Sequence, residues 1–168
     1  MASLNFVLLK SNKRFMINDY DALLNRCKVI LEREDITREE LLQEICELLY
    51  DSLAYYNWVG FYFANHSQRT LHLGPYIGEA TDHVTIPFGK GICGQVAESN
   101  DVFVVDDVTK ETNYIACSLV VKSEIVVPIF VNGLNIGQID VDSHTESVFT
   151  NEDKVFLEAL MIEVAKLY

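Results

Sequence analysis

The dipeptide Asn132-Gly133 separates two strand-length runs, EIVVPIF (residues 124–130) and LNIGQIDVDS (residues 134–143). Asn-Gly is the strongest short hairpin signal, because both residues tolerate the positive φ angles that a two-residue connection demands. The two runs must therefore lie side by side and antiparallel. Parallel neighbours need a crossover of a dozen residues or more. A second joint of the same kind, the polar turn NHSQ, divides NWVGFYFA from RTLHLG. Together these hairpins exclude a doubly wound parallel sheet and point to α+β architecture.

The helical segments lie at the two ends. In DYDALLNRCKVILER, Tyr20, Leu23, Leu24, Cys27, Ile30 and Leu31 share one helical face. Thr37 with Glu40 three residues later has the form of a capping box. Behind it Leu41, Leu42, Ile45, Leu48, Leu49 and Leu53 line an apolar side. Thr150 caps a closing helix. The stretch LGPYIGEATDHVTIPFGKG reads as a long irregular connection holding one short strand, HVTI. ICGQVAESN reads as a short helix and DVFVVDD as a strand. The expected fold is one domain over residues 1–168, with residues 1–18 as a lead-in. It has a central antiparallel sheet of about six strands, with the helices of residues 19–33, 37–54 and 151–167 packed on one face.

A net charge of −12 makes the average surface repel phosphate backbones and anionic lipids. Nucleic-acid and membrane partners are disfavoured, and no apolar run approaches the roughly 20 residues that span a bilayer. The expected location is the cytoplasm, where cysteines are held as thiols and a disulfide is transient and catalytic. Cys27 and Cys46 fall inside the helical stripes and read as core residues. Cys93 and Cys117 do not. Cys93 enters the short helix, where backbone N–H groups favour a thiolate, and Cys117 lies in a loop before a strand. Cys93, Cys117, His72 and His83 offer four metal-ligating groups, but no paired C-x-x-C or H-x-x-x-H spacing exists, so no metal is expected.

Asp140 and Asp142, two apart on a strand, point to the same face. Side by side and partly buried, they raise each other's pKa and make a place for a proton or a cation; the competing reading is a solvated strand edge. Glu124 opens an apolar strand and is a candidate proton donor if buried, or else a strand-end charge in water. Trp58 and Tyr62 share a face and form either a wall for a small ligand or ordinary core.

NWVGFYF, LHLGPYIG, IPFGKGICG, IACS with SEIVVPIF, and IGQIDVDS resemble, in that order, the free methionine-(R)-sulfoxide reductases, which are GAF-fold enzymes. The resemblance spans roughly residues 56–160. It implies that Cys117 is the nucleophile that attacks the sulfoxide sulfur and Cys93 a second redox cysteine. It also implies that Glu124, Asp140 and Asp142 are carboxylates around the substrate, and that Trp58 and Tyr62 wall its methyl group. The implied substrate is free methionine sulfoxide and the implied reductant thioredoxin, with no cofactor; a homodimer is the expected assembly. Two positions depart from the pattern: His83 stands where the family commonly has a loop cysteine, and Ser118 where Asp often follows the nucleophile. The alternative is a non-catalytic GAF-type sensor or a methionine-sulfoxide binder without turnover.

Overall fold

A computed structural model describes residues 19–112 and 120–168. Two helices, α1 (Tyr20–Leu31) and α2 (Arg38–Ser52), lead into strands β1 (Trp58–Asn65), β2 (Thr70–Ile77) and β3 (Thr85–Pro87). Helix α3 (Gly91–Ser99) precedes β4 (Phe103–Val105) and a 3-10 turn at Val108–Lys110. Strands β5 (Ser123–Val131) and β6 (Leu134–Ser143) then pair before the closing helix α4 (Asn151–Ala165). The six strands form one sheet in the order β3-β2-β1-β6-β5-β4, and every neighbouring pair is antiparallel.

The hairpin at residues 132–133 forms as expected. Val131 pairs with Leu134, and Asn132 and Gly133 take φ values of 51° and 79°. Beyond a one-residue register shift between Ile129 and Phe130, the period of two sorts β6 into two faces. Ile139 and Val141, with Val59 and Phe61 of β1 and Ile125, Val127 and Ile129 of β5, point into the larger core. Leu23 and Cys27 of α1, Leu42, Ile45 and Leu49 of α2, and Phe156, Leu157 and Leu160 of α4 close that core from outside. The three helices thus share one face of the sheet. The opposite face carries Trp58, Tyr62 and Val126, and is covered by Ile92, Cys93 and Val96 of α3.

The capping box at Thr37 is present: its hydroxyl accepts from the Glu40 N–H, and the Glu40 carboxylate accepts from the Thr37 N–H. Cys27 and Cys46 are fully buried, as their helical positions required. Burial pushes the Cys27 thiol up to about 12 and the Cys46 thiol upward as well. Neither is poised for redox chemistry.

One segment differs from expectation. β2 does not end at Gly74 but runs on through Pro75 to Ile77. Pro75 is tolerated because it falls where the β1–β2 register shifts, between Gly60 and Tyr62, and because β3 flanks β2 only at residues 70–72. The extension is covered by α2, whose Gln43 Nε2 donates to the Tyr76 carbonyl (3.2 Å) and whose Cys46 Sγ donates to that of Pro75 (3.6 Å).

Asp153 is fully buried in the first turn of α4. Its Oδ1 accepts from the hydroxyls of Tyr20 (2.7 Å), Tyr55 (2.7 Å) and Tyr56 (3.1 Å). Its Oδ2 accepts from the Thr150 N–H and hydroxyl at 2.8 and 2.9 Å. One carboxylate therefore ties α1, the α2–β1 joint and α4 together. Asp153→Ala removes the acceptor shared by one buried and two half-buried phenols and is expected to cost about 2 kcal/mol or more. A urea midpoint indistinguishable from that of the unaltered protein would show that these bonds contribute nothing net.

Candidate active site

The site lies on the sheet face that α3 covers. Because β6 sits between β1 and β5, Asp142 stands directly opposite both Trp58 and Glu124, and Asp140 opposite both Gly60 and Val126. Antiparallel partners project to the same side. Register alone thus gathers two aspartates, a glutamate and an indole. All three carboxyl groups are buried, with residual exposures of 3% for Glu124 and 2% each for Asp140 and Asp142. The solvated alternative for each is ruled out.

Helix α3 brings in the thiol. Its N-cap Lys90 makes no side-chain capping bond, and Cys93 sits in the first turn. The Cys93 Sγ donates to Asp140 Oδ2 at 3.2 Å. Cys93, Glu124 and Asp140 each offer a ligand-type atom, and these atoms all lie within 4.8 Å of one another. Neither His72 nor His83 joins this cluster among the described residues.

The three carboxyl groups hold protons more tightly than ordinary acids. Burial raises Glu124 well above the usual range, and the neighbouring Asp140 and Asp142 raise it further. Burial likewise raises Asp142, reinforced by Asp140. Asp140 is pushed up to about 7 by burial, although hydrogen bonds from Cys93 and Glu124 work in the opposite direction. Glu124 is thus the protonated partner that donates to Asp140. The remaining acceptors, Asp140 Oδ1 and Asp142 Oδ1, are buried without a hydrogen-bond partner among the described residues. Such atoms are costly to leave unmatched, and a cationic or N–H-bearing ligand would satisfy them.

Trp58 and Tyr62 stack with ring centroids 6.3 Å apart within the smaller apolar cluster beneath α3, and Tyr76 stacks on Trp58 at 5.3 Å. Their polar tips reach the loop between β2 and β3. The Trp58 Nε1–H donates to the Glu79 carbonyl (3.1 Å) and the Tyr62 hydroxyl to the His83 carbonyl (3.0 Å). The loop that carries His83 is therefore held over these stacked rings. Beneath it a cavity of about 20 Å³ is bounded by Trp58, Glu79, Thr81, Val121 and Asp142. A wider groove of about 760 Å³ between β5 and α4 is lined by Val127, Phe130, Met161 and Ile162 and includes none of these groups.

Two contributors escaped the sequence reading. Gly60 leaves room for the indole: a Cβ there would meet Trp58 ring atoms at 2.3 and 2.5 Å. Gln138, fully buried, donates from Nε2 to the Cys93 carbonyl at 3.1 Å and so fixes α3 against β6. Its period-two spacing from Asp140 was the available signal. Cys117, expected as the nucleophile, and Ser118 lie outside the described residues.

The sequence pattern of the GAF domain matches residues 35–166. The free methionine-R-sulfoxide reductase of Escherichia coli is 39% identical over 120 residues, 71% of this chain and 71% of the relative. The chain belongs to this reductase family of GAF domains. Its Saccharomyces cerevisiae member is 46% identical over 114 residues, 66% of this chain and 63% of the relative. The crystal structure of the Neisseria meningitidis member in complex with its substrate superposes with a TM-score of 0.83 at 31% identity, covering 99% of this chain and 95% of that one.

The raised carboxyl groups make stability depend on pH. Their folded-state pKa values exceed the unfolded value of about 4. Below that value both states are protonated and the full stability is present. As the pH rises, the unfolded chain releases protons first, so stability falls by about 1.4 kcal/mol per pH unit per carboxyl until the folded-state pKa is passed. For Asp140 this window runs up to about 7. Urea unfolding of the ligand-free protein should accordingly show stability falling across this window, and Asp140→Asn should make the fall shallower. Equal slopes in the two proteins would contradict the assignment.

Proposed function

We propose that the protein reduces free L-methionine (R)-S-oxide to L-methionine, with Cys117 as nucleophile and the buried carboxyl groups as proton source. The observation that carries this reading is a cluster of three buried carboxyl groups in contact with the Cys93 thiol on one sheet face, beside stacked aromatic rings. Family membership adds that the relatives named above are reductases of this substrate.

The sulfoxide oxygen leaves sulfur only when protonated, since oxide is a poor leaving group. Glu124, kept protonated by burial, supplies that proton. The Cys117 thiolate attacks the sulfur and forms an S–S bond while the protonated oxygen leaves as water; water then attacks the Cys117 sulfur, breaking that S–S bond to leave a sulfenic acid and release methionine. The Cys93 thiol then attacks the Cys117 sulfur, expelling water and forming a disulfide. Thioredoxin reduces that disulfide by exchange. Asp142 and Asp140 accept hydrogen bonds from the substrate ammonium through their unmatched oxygens, and Trp58 packs on its methyl group. Entry requires the loop of residues 78–84 to lift from Trp58 and Tyr62. The protein acts as a cytoplasmic homodimer over a single domain.

Acetylating the substrate nitrogen removes the ammonium and leaves the carboxylates unmatched. The N-acetylated or peptide-bound sulfoxide should be reduced with kcat/KM lower by at least about 100-fold, equivalent to roughly 3 kcal/mol. Comparable rates in a thioredoxin-coupled assay would count against the ammonium pocket.

The thiol roles separate in single turnovers. Cys117→Ser should release no methionine. Cys93→Ser should release about one methionine per site and leave a sulfenic acid that dimedone labels. Full coupled turnover by Cys93→Ser, or a retained first turnover in Cys117→Ser, would overturn the assignment. Absence of any methionine from the unaltered protein would favour a sensor or binder.

A further inference from the structure

The same buried face has the donor set of a metal site, although its ligands come from three separate elements and no sequence spacing announces it. Cys93 arrives on α3, Glu124 on β5 and Asp140 on β6, with their ligand-type atoms all within 4.8 Å of one another. The Cys93 Sγ to Asp140 Oδ2 distance is 3.2 Å. A tetrahedral zinc ion, with bonds of about 2.3 Å to sulfur and about 2.0 Å to oxygen, has an S···O edge of roughly 3.5 Å. Only a few tenths of an ångström separate the two.

A second observation points to a cation. Asp142 is not part of the triad, yet it stands directly opposite Glu124 on the same face. It is 2% exposed, and its Oδ1 has no hydrogen-bond partner among the described residues. The face therefore presents a buried acceptor beyond the three clustered ligands. The donor set also selects among metals. Magnesium and calcium take oxygen ligands, whereas one thiolate with carboxylates suits zinc.

We propose that Cys93, Glu124 and Asp140, with Asp142 alongside, form an inhibitory binding site for zinc(II). Binding replaces protons by metal: the Cys93 Sγ–H proton and those held by the carboxyl groups pass to solvent, and no electron is transferred. The bound ion occupies the acceptors assigned to the substrate ammonium and ties up the Cys93 sulfur. Inhibition rests on the proposed reductase activity, but binding does not, and is measured with no sulfoxide present.

The test uses the full chain with its thiols reduced and the reductant then removed. Zinc(II) is titrated in competition with a chromophoric chelator, and cobalt(II) serves as the spectroscopic substitute. One zinc per chain is expected, with a thiolate-to-cobalt charge-transfer band in the near ultraviolet. Asp140→Asn and Glu124→Gln should each weaken zinc binding by about 10- to 100-fold. Cys93→Ser should abolish the band, and Cys46→Ala should leave affinity and band unchanged. The proposal is overturned if the unaltered protein binds no zinc in the micromolar range or shows no charge-transfer band, neither of which depends on a variant folding. It is also overturned if the band survives in Cys93→Ser, or if affinity is unchanged in both carboxyl variants. A protein that binds one zinc through Cys93 yet reduces no sulfoxide would uphold the site and refute the activity.

Discussion

Placing three carboxyl groups out of water on one sheet face is the constraint around which the rest of the chain is arranged. Desolvating one ionised carboxylate is expensive, and three within reach of one another repel as well. The fold meets the cost by keeping protons on the cluster, by letting Glu124 and Cys93 donate to Asp140, and by leaving two oxygens to be satisfied from outside. Such an arrangement persists only if the scaffold is held firmly elsewhere. The three-helix core on the opposite face supplies that hold, with Asp153 binding three tyrosines across the helices.

The two faces of the sheet thus do opposite things with the same strands. In β6, Ile139 and Val141 bury apolar area against the helices while Asp140 and Asp142 face α3. A one-residue slip would exchange them, putting the carboxylates into the helical core. The Asn132-Gly133 hairpin sets the pairing at Val131 and Leu134, and a one-residue shift between Ile129 and Phe130 then resets it so that Glu124 faces Asp142.

What was legible in the sequence followed from short-range rules. Capping chemistry marked α2 and α4, alternation placed Asp140 and Asp142 together, and hairpin signals gave the antiparallel order. Ordered blocks then linked Glu124, Trp58 and Tyr62 to the same site. What was not legible depended on contacts distant in sequence. Pro75 looked like a strand breaker because the β1–β2 register shift that accommodates it is invisible locally. Nothing in the local pattern marks Asp153, and only the fold brings Tyr20 to it from 133 residues away. Gln138 shares the face of Asp140 by period-two spacing, but only the fold shows that α3 covers it.

The loop above the stacked aromatic rings is fastened through main-chain oxygens. Trp58 and Tyr62 donate to the carbonyls of Glu79 and His83. A carbonyl is present whatever residue occupies the position, so the anchoring is blind to side-chain identity. Position 83 can therefore exchange one side chain for another across evolutionary time while the loop keeps its seat. A substitution there leaves both main-chain bonds to Trp58 and Tyr62 in place.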